Sequence, residues 1–196
     1  MVSSSARSPA ALPAGHLLVL ADGAGGTSGG AAAADAVLAH ARSASPTTSS
    51  DCGRLLGALD QALTDIGETT AILLVVSGGQ VFGASVGDSA AWLFDPPVAL
   101  DLTENQTAKP LLGSGRATPV TFGPFPFRGR VVLGSDGLFK YVRLDRIRDI
   151  ASTFPLDDVP DQLVAAARLP SGGLQDDIAI IVACRQAVEA DGCTSS

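Results

Sequence analysis

Residues 69–86 read TTAILLVVSGGQVFGASV, and the architecture follows from them. The first nine residues are almost all β-branched or aliphatic, in a run too short for an independent helix, which predicts a strand over 69–77. Gly78-Gly79 then supplies a two-residue hairpin turn, and 80–86 forms the returning strand. After the interruption Gly87-Asp88-Ser89, residues 90–94 (AAWLF) continue as a third strand. Strands joined by tight turns pair antiparallel, whereas parallel neighbours need helical crossovers. The prediction is therefore an α+β protein and not a doubly wound one.

Two helices precede this hairpin. Residues 31–44 are alanine-rich, with Ala33, Val37 and Ala41 recurring on one face. Residues 52–66 carry Leu55, Leu56, Leu59, Ala62, Leu63 and Ile66 at helical spacing, and 43–50 (SASPTTSS) read as a linker. Downstream, the proline-rich span 95–128 reads as mostly loop with at most one short strand. A strand follows at 130–133, then helices over 142–152 and 156–169, and a closing buried strand at 178–184. The expected organisation is a flexible lead-in (1–15), a single domain (16–185) and a polar tail (186–196), with no internal repeat.

Whole-chain properties narrow the classes. A length of 196 residues with 46% hydrophobic content suits one domain with a sizeable core. A net charge of −7 argues against a nucleic-acid or anionic-membrane surface. Cys52, Cys184 and Cys193 are scattered, without a C-x-x-C pair, and imply neither a disulfide framework nor a zinc site. No apolar run approaches the ~18 residues of a membrane span, and residues 1–15 lack a signal-peptide core. These features predict a cytoplasmic protein without nucleic-acid or membrane partners.

The chemistry concentrates in four places where an aspartate sits beside small residues at a strand end: Asp22-Gly23, Asp88-Ser89, Asp136-Gly137 and Asp176-Asp177. The first lies in 17–30, LLVLADGAGGTSGG, an apolar strand followed by five glycines in eight residues. A dinucleotide fingerprint fails there because Ser28 occupies the third glycine position, and a P-loop fails because no lysine follows. Taken singly, each aspartate is as well explained as a turn former or helix cap. Four at strand ends can converge, and clustered carboxylates are costly unless a cation compensates. All-oxygen donors select Mg²⁺ or Mn²⁺, and with only His16 and His40 in the chain a His-rich zinc or iron centre is excluded. Gly83-Ala84-Ser85-Val86-Gly87 matches the G-x-S-x-G elbow of serine hydrolases, but a strand follows it and both histidines precede it, so that chemistry is rejected.

Four segments in order, LVLADGAGG, VFGASVGDSAAWLF, VVLGSDGLF and LQDDIAIIVA, resemble successive motifs of the metal-dependent type-2C (PPM-type) serine/threonine protein phosphatases in a compact bacterial-like form. Thr69-Thr70-Ala71 and Leu102-Thr103-Glu104-Asn105 resemble two further family segments, and the likeness runs from about Leu17 to Ala183. The resemblance implies an antiparallel β-sandwich flanked by helix pairs, four layers α-β-β-α. It implies two Mn²⁺ or Mg²⁺ ions, a third being weak or absent. Asp22 would bridge the two, the Gly23 carbonyl would ligate one, and Asp136 and Asp176 would hold the other. Asp177 would support them, and Asp88 matches the acid of the third ion. It further implies hydrolysis of phosphoserine and phosphothreonine in proteins, opposing a Ser/Thr kinase, by a metal-activated water and without a protein nucleophile.

The sequence also departs from that pattern. The family's phosphate-gripping Arg and metal-holding acid lie upstream of the Asp-Gly motif. Here no Asp or Glu precedes Asp22, and Arg7 stands in an unrelated context, so either the first strand is missing or Met1 is not the natural start. Lys140 falls where an acid near the third ion is usual, and the span between Asp88 and Asp136 is short for the family's substrate flap. The alternative expectation is a pseudophosphatase, a binding or regulatory module with an incomplete metal site.

Overall fold

A computed structural model describes residues 15–24 and 29–185. The expected lead-in (except Gly15), the expected tail and four residues of the glycine-rich loop lie outside the described residues. The described residues form two four-stranded antiparallel sheets. One has the order β1-β2-β3-β6, with β1 His16–Gly23, β2 Thr69–Ser77, β3 Gln80–Val86 and β6 Val120–Pro126. The other has the order β5-β4-β7-β8, with β4 Ala90–Asp95, β5 Val98–Asp101, β7 Arg130–Gly134 and β8 Ile180–Cys184.

The predicted hairpin forms with the expected boundaries. Ser77 pairs with Gln80, and Gly78 and Gly79 take φ of 58° and 76°, the left-handed pair that a two-residue turn between twisted strands requires. Its strand β2 is apolar on both faces because both faces are covered. Ala71, Leu73 and Val75 pack under helices α1 (Gly30–Ala41) and α2 (Ser49–Ala62), whereas Ile72, Leu74 and Val76 face the second sheet. On the far side, Val132 and Phe94 meet Ile147, Ile150 and Leu163 from α4 (Leu144–Thr153) and α5 (Val159–Ala167). Three apolar layers thus separate four layers of secondary structure, the expected α-β-β-α sandwich with a helix pair on each outer face.

Several boundaries differ from the sequence expectation. Helix α2 starts inside the supposed linker because Thr48 caps it: its Oγ1 accepts the Asp51 N–H at 3.1 Å, while the Asp51 carboxylate accepts the Thr48 N–H at 2.8 Å. The span 95–128 contains two strands, not one at most. Strand β6 includes Pro124 and Pro126 and is an edge strand of its sheet, where a missing N–H costs no ladder bond. A one-turn helix α3 (Asp136–Phe139), a later start for α5 and earlier ends for α1 and α2 are further differences. The closing strand β8 begins at Ile180 and is half-buried, being the other sheet's edge.

Candidate functional site

Topology carries the four aspartate turns to one end of the sandwich. Strand β1 finishes at Gly23 opposite Thr69, where β2 begins, and β3, antiparallel to β2, finishes at Val86 beside that same end. Asp88 follows β3. Ala90, the first residue of β4, pairs with Gly134, the last of β7, which in turn pairs with Ile180, the first of β8. Asp136 therefore leaves β7 where Asp176 and Asp177 enter β8.

Local chemistry fixes these turns. The Asp22 main chain is held from both sides: its N–H donates to Thr70 Oγ1 at 3.2 Å, and its carbonyl accepts Thr69 Oγ1 at 2.9 Å. Thr70 Oγ1 lies 2.7 Å from Ser89 Oγ, and Gln106 Nε2 donates to the Ser89 carbonyl at 2.6 Å, so the Asp22 and Asp88 turns share one buried polar network. Ser135 joins the other pair: its N–H donates to the Ala179 carbonyl at 3.0 Å and its Oγ accepts the Ala179 N–H at 3.1 Å. Next to it, Gly137 passes so near the 176–177 backbone that a β-carbon there would lie 2.4 Å from the Asp177 carbonyl oxygen. Only glycine permits that approach.

The carboxylates act on one another. Asp22 is raised from 3.8 to about 6, first by burial and then by repulsion from Asp136, Asp176, Asp88 and Asp177. Burial likewise raises Asp136, with Asp88 and Asp176 adding repulsion, while the Gly137 N–H and the Lys140 ammonium oppose the rise. Lys140 itself is exposed and lies 5.4 Å from the Tyr141 ring centroid. The structure thus brings Asp22, Asp88, Asp136, Asp176 and Asp177 into one electrostatic cluster with the Gly23 backbone at its edge.

An all-carboxylate set under mutual repulsion is the chemistry that a hard divalent cation relieves. Among the described residues, however, no three His, Cys, Asp or Glu side chains are drawn together tightly enough to hold an ion. The set fits such a cation in donor type and in charge, and the side chains would close on it.

Other candidates separate from this end. Ser85, the serine of the G-x-S-x-G match, is fully buried within β3, and among the described residues its Oγ has no hydrogen-bond partner. His40 is on α1, its Nδ1 2.8 Å from the Ala36 carbonyl oxygen. Cys52 is buried under the helix layer and Cys184 is half-buried, both as free thiols. The sequence reading missed Thr70, Ser89, Ser135 and Gln106 as site-building residues. Three of them are small hydroxyl residues flanking or facing the aspartates, and a polar residue at a strand end beside a candidate ligand is the signal that finds them.

The family profile described as Stage II sporulation protein E (SpoIIE) matches residues 13–186. No curated protein matches the sequence. Among solved structures, the chain is similar to a serine/threonine phosphatase of S. agalactiae, with a TM-score of 0.71 at 20% identity over 86% of this chain and 87% of that one. It is also similar to the Mycobacterium tuberculosis serine/threonine phosphatase PstP/Ppp, with a TM-score of 0.70 at 20% identity over 87% and 88%. A serine/threonine phosphatase from Staphylococcus aureus gives 0.68 at 21% identity over 87% and 84%. At these identities the likeness establishes the fold.

Proposed function

From the premise that this chain belongs to the SpoIIE family and has the fold of the bacterial serine/threonine phosphatases, we propose that it hydrolyses phosphoserine and phosphothreonine in proteins with bound Mn²⁺ or Mg²⁺. The observation that carries this reading is the convergence of four aspartate turns on one sandwich end, with Asp22 and Asp136 raised by burial and then by their acidic neighbours. Asp22 would help to hold both ions, the Gly23 carbonyl one of them, and Asp136 and Asp176 the other. Asp88 would serve a third, weaker position, and Asp177 would support the set. Such ions supply an activated water and neutralise phosphoryl oxygens.

The remaining work falls to the chain. Thr69 and Thr70 fix the height of the Asp22 backbone through its carbonyl and N–H, which anchors the main chain that carries the carboxylate at the cluster. Ser135 and Gly137 keep the Asp136 turn pressed against the 176–179 segment. The described residues of this cluster include no histidine and no cysteine, so neither a phosphohistidine nor a phosphocysteine intermediate has a residue to form on, and attack by water suits the set. The substrate would be a phosphoprotein, in opposition to a Ser/Thr kinase. No described helix is long and apolar enough to cross a membrane.

The test is orthophosphate release from a phosphoserine peptide by protein stripped with a chelator and then restored with Mn²⁺. Restored release supports the proposal, and release that is insensitive to the chelator contradicts it. One observation favours a second reading, a fold that binds phosphoproteins without turnover: the separation of the carboxylates among the described residues. That reading predicts a Mn²⁺-dependent rise in melting temperature with no phosphate release.

A further inference from the structure

Beside the carboxylate cluster lies an open cleft of about 390 Å³ lined by Glu68, Lys109, Pro110, Leu111, Ser114 and Arg116. Its walls are continuous with the site. The Glu68 carbonyl accepts the Ala24 N–H at 2.9 Å, two residues from Asp22. Thr69, whose hydroxyl holds the Asp22 carbonyl, exchanges backbone hydrogen bonds of 3.0 and 3.1 Å with Leu112. The Leu111 side chain lies over Gly87, immediately before Asp88, so near that a β-carbon there would be 3.1 Å from Leu111 Cδ2.

The loop that carries the cations is held from beneath. Asp60, 1% exposed on α2, accepts the N–H groups of Gly113 at 2.8 Å, Gly115 at 3.1 Å and Ala117 at 3.0 Å. Three charge-assisted bonds to one buried carboxylate make the 113–117 loop a rigid platform for Arg116. Lys109 and Arg116 are exposed, and among the described residues neither enters an ion pair. The lining thus carries two cations against the single carboxylate of Glu68, in a chain of net charge −7 whose adjoining cluster is wholly acidic.

We propose that this cleft is a substrate subsite in which Lys109 and Arg116 receive an acidic side chain flanking the phosphorylated residue of a peptide substrate. The inference rests on the phosphatase reading and adds its sequence preference. Free cations beside a site that must accept an anionic peptide lower the repulsion from the aspartates and reward a carboxylate near the phosphoryl group. Guanidinium and ammonium groups held on a fixed loop lose little freedom when they bind it.

The test compares the Mn²⁺-loaded protein on two phosphoserine peptides that differ only in having glutamate or alanine around the phosphoserine. The reading is the ratio of their kcat/KM values. The wild type is expected to favour the glutamate peptide, and Lys109→Gln with Arg116→Gln to reduce that ratio about five- to ten-fold, mainly through KM, as two exposed charge pairs are lost. Lys109→Glu with Arg116→Glu is expected to reverse the preference. A wild-type ratio near one, or a ratio unchanged in the double variants, overturns the proposal. Should wild-type protein turn over neither peptide, the phosphatase reading fails by itself. Fluorescence anisotropy with the same labelled peptides then decides the subsite, because tighter binding of the glutamate peptide that the double variants abolish needs no turnover.

Discussion

At the scale of single residues, the site stores repulsion. Asp22 at about 6 in the folded protein, against 3.8 unfolded, binds its proton more tightly when folded. Its contribution to stability is therefore fully present below pH ~4 and is lost as the pH rises through about 6. For a half-exposed carboxylate screened by solvent, the loss is on the order of 1–2 kcal/mol. Thermal melts of metal-free protein at pH 4.5, 6 and 7.5 should show this decline, and Asp22→Asn should flatten it. Asp136→Asn should likewise raise the metal-free melting temperature, because it removes a charge that Asp22 feels. A metal-free melting temperature lowered by both substitutions would show that the carboxylates are structural anchors, not a strained cation site. The aspartates themselves are legible in the sequence because each stands beside glycine, serine or a second aspartate at a strand end. Their hydroxyl supports are not, since Thr70, Ser89 and Ser135 become partners only through pairings across 19 to 48 residues of chain.

At the scale of elements, caps and buried acids decide what periodicity alone misplaces. Helix α2 starts at Ser49 because Thr48 and Asp51 exchange hydrogen bonds, with Asp51 also gripping Thr47 and held down to about 2 by those donors. Thr48→Ala should cost about 1 kcal/mol, read as a lower urea midpoint at unchanged slope. On the same helix, the leucine stripe conceals Asp60, an acid set four residues after the buried Leu56. Its partners lie more than 50 residues downstream in a span that the sequence marks only as proline-rich loop. Asp60→Ala should cost about 3 kcal/mol, since three backbone donors lose a charged acceptor. It should also weaken the glutamate-peptide preference by loosening the Arg116 loop. An unchanged urea midpoint would show that water satisfies those donors and that the loop needs no anchor.

At the scale of the whole molecule, the antiparallel sandwich follows from one hairpin and from strands apolar on both faces. Because β2 is buried from Thr69 to Val76, a layer has to cover each of its faces: α1 and α2 cover one and the second sheet covers the other. Edge strands are the hard part: β6 contains prolines and reads as loop, whereas β8 is apolar throughout and reads as fully buried although the sheet edge leaves it half-buried. Leu73→Ala, in the layer beneath α1 and α2, should cost 2–5 kcal/mol, roughly, by opening a cavity in that layer. Divalent cations should act in the opposite sense, raising the melting temperature with concentration as a ligand of the folded state alone must. If the aspartate end of this sandwich is a cation-dependent phosphatase centre, phosphate release must follow both the cation and the carboxylates. Release from a phosphoserine peptide is therefore to be measured across a Mn²⁺ titration, with Asp136→Asn alongside. The expected rate rises to saturation with Mn²⁺ and is abolished in the variant. Release that Asp136→Asn leaves intact, or none at any Mn²⁺ concentration, would contradict the assignment.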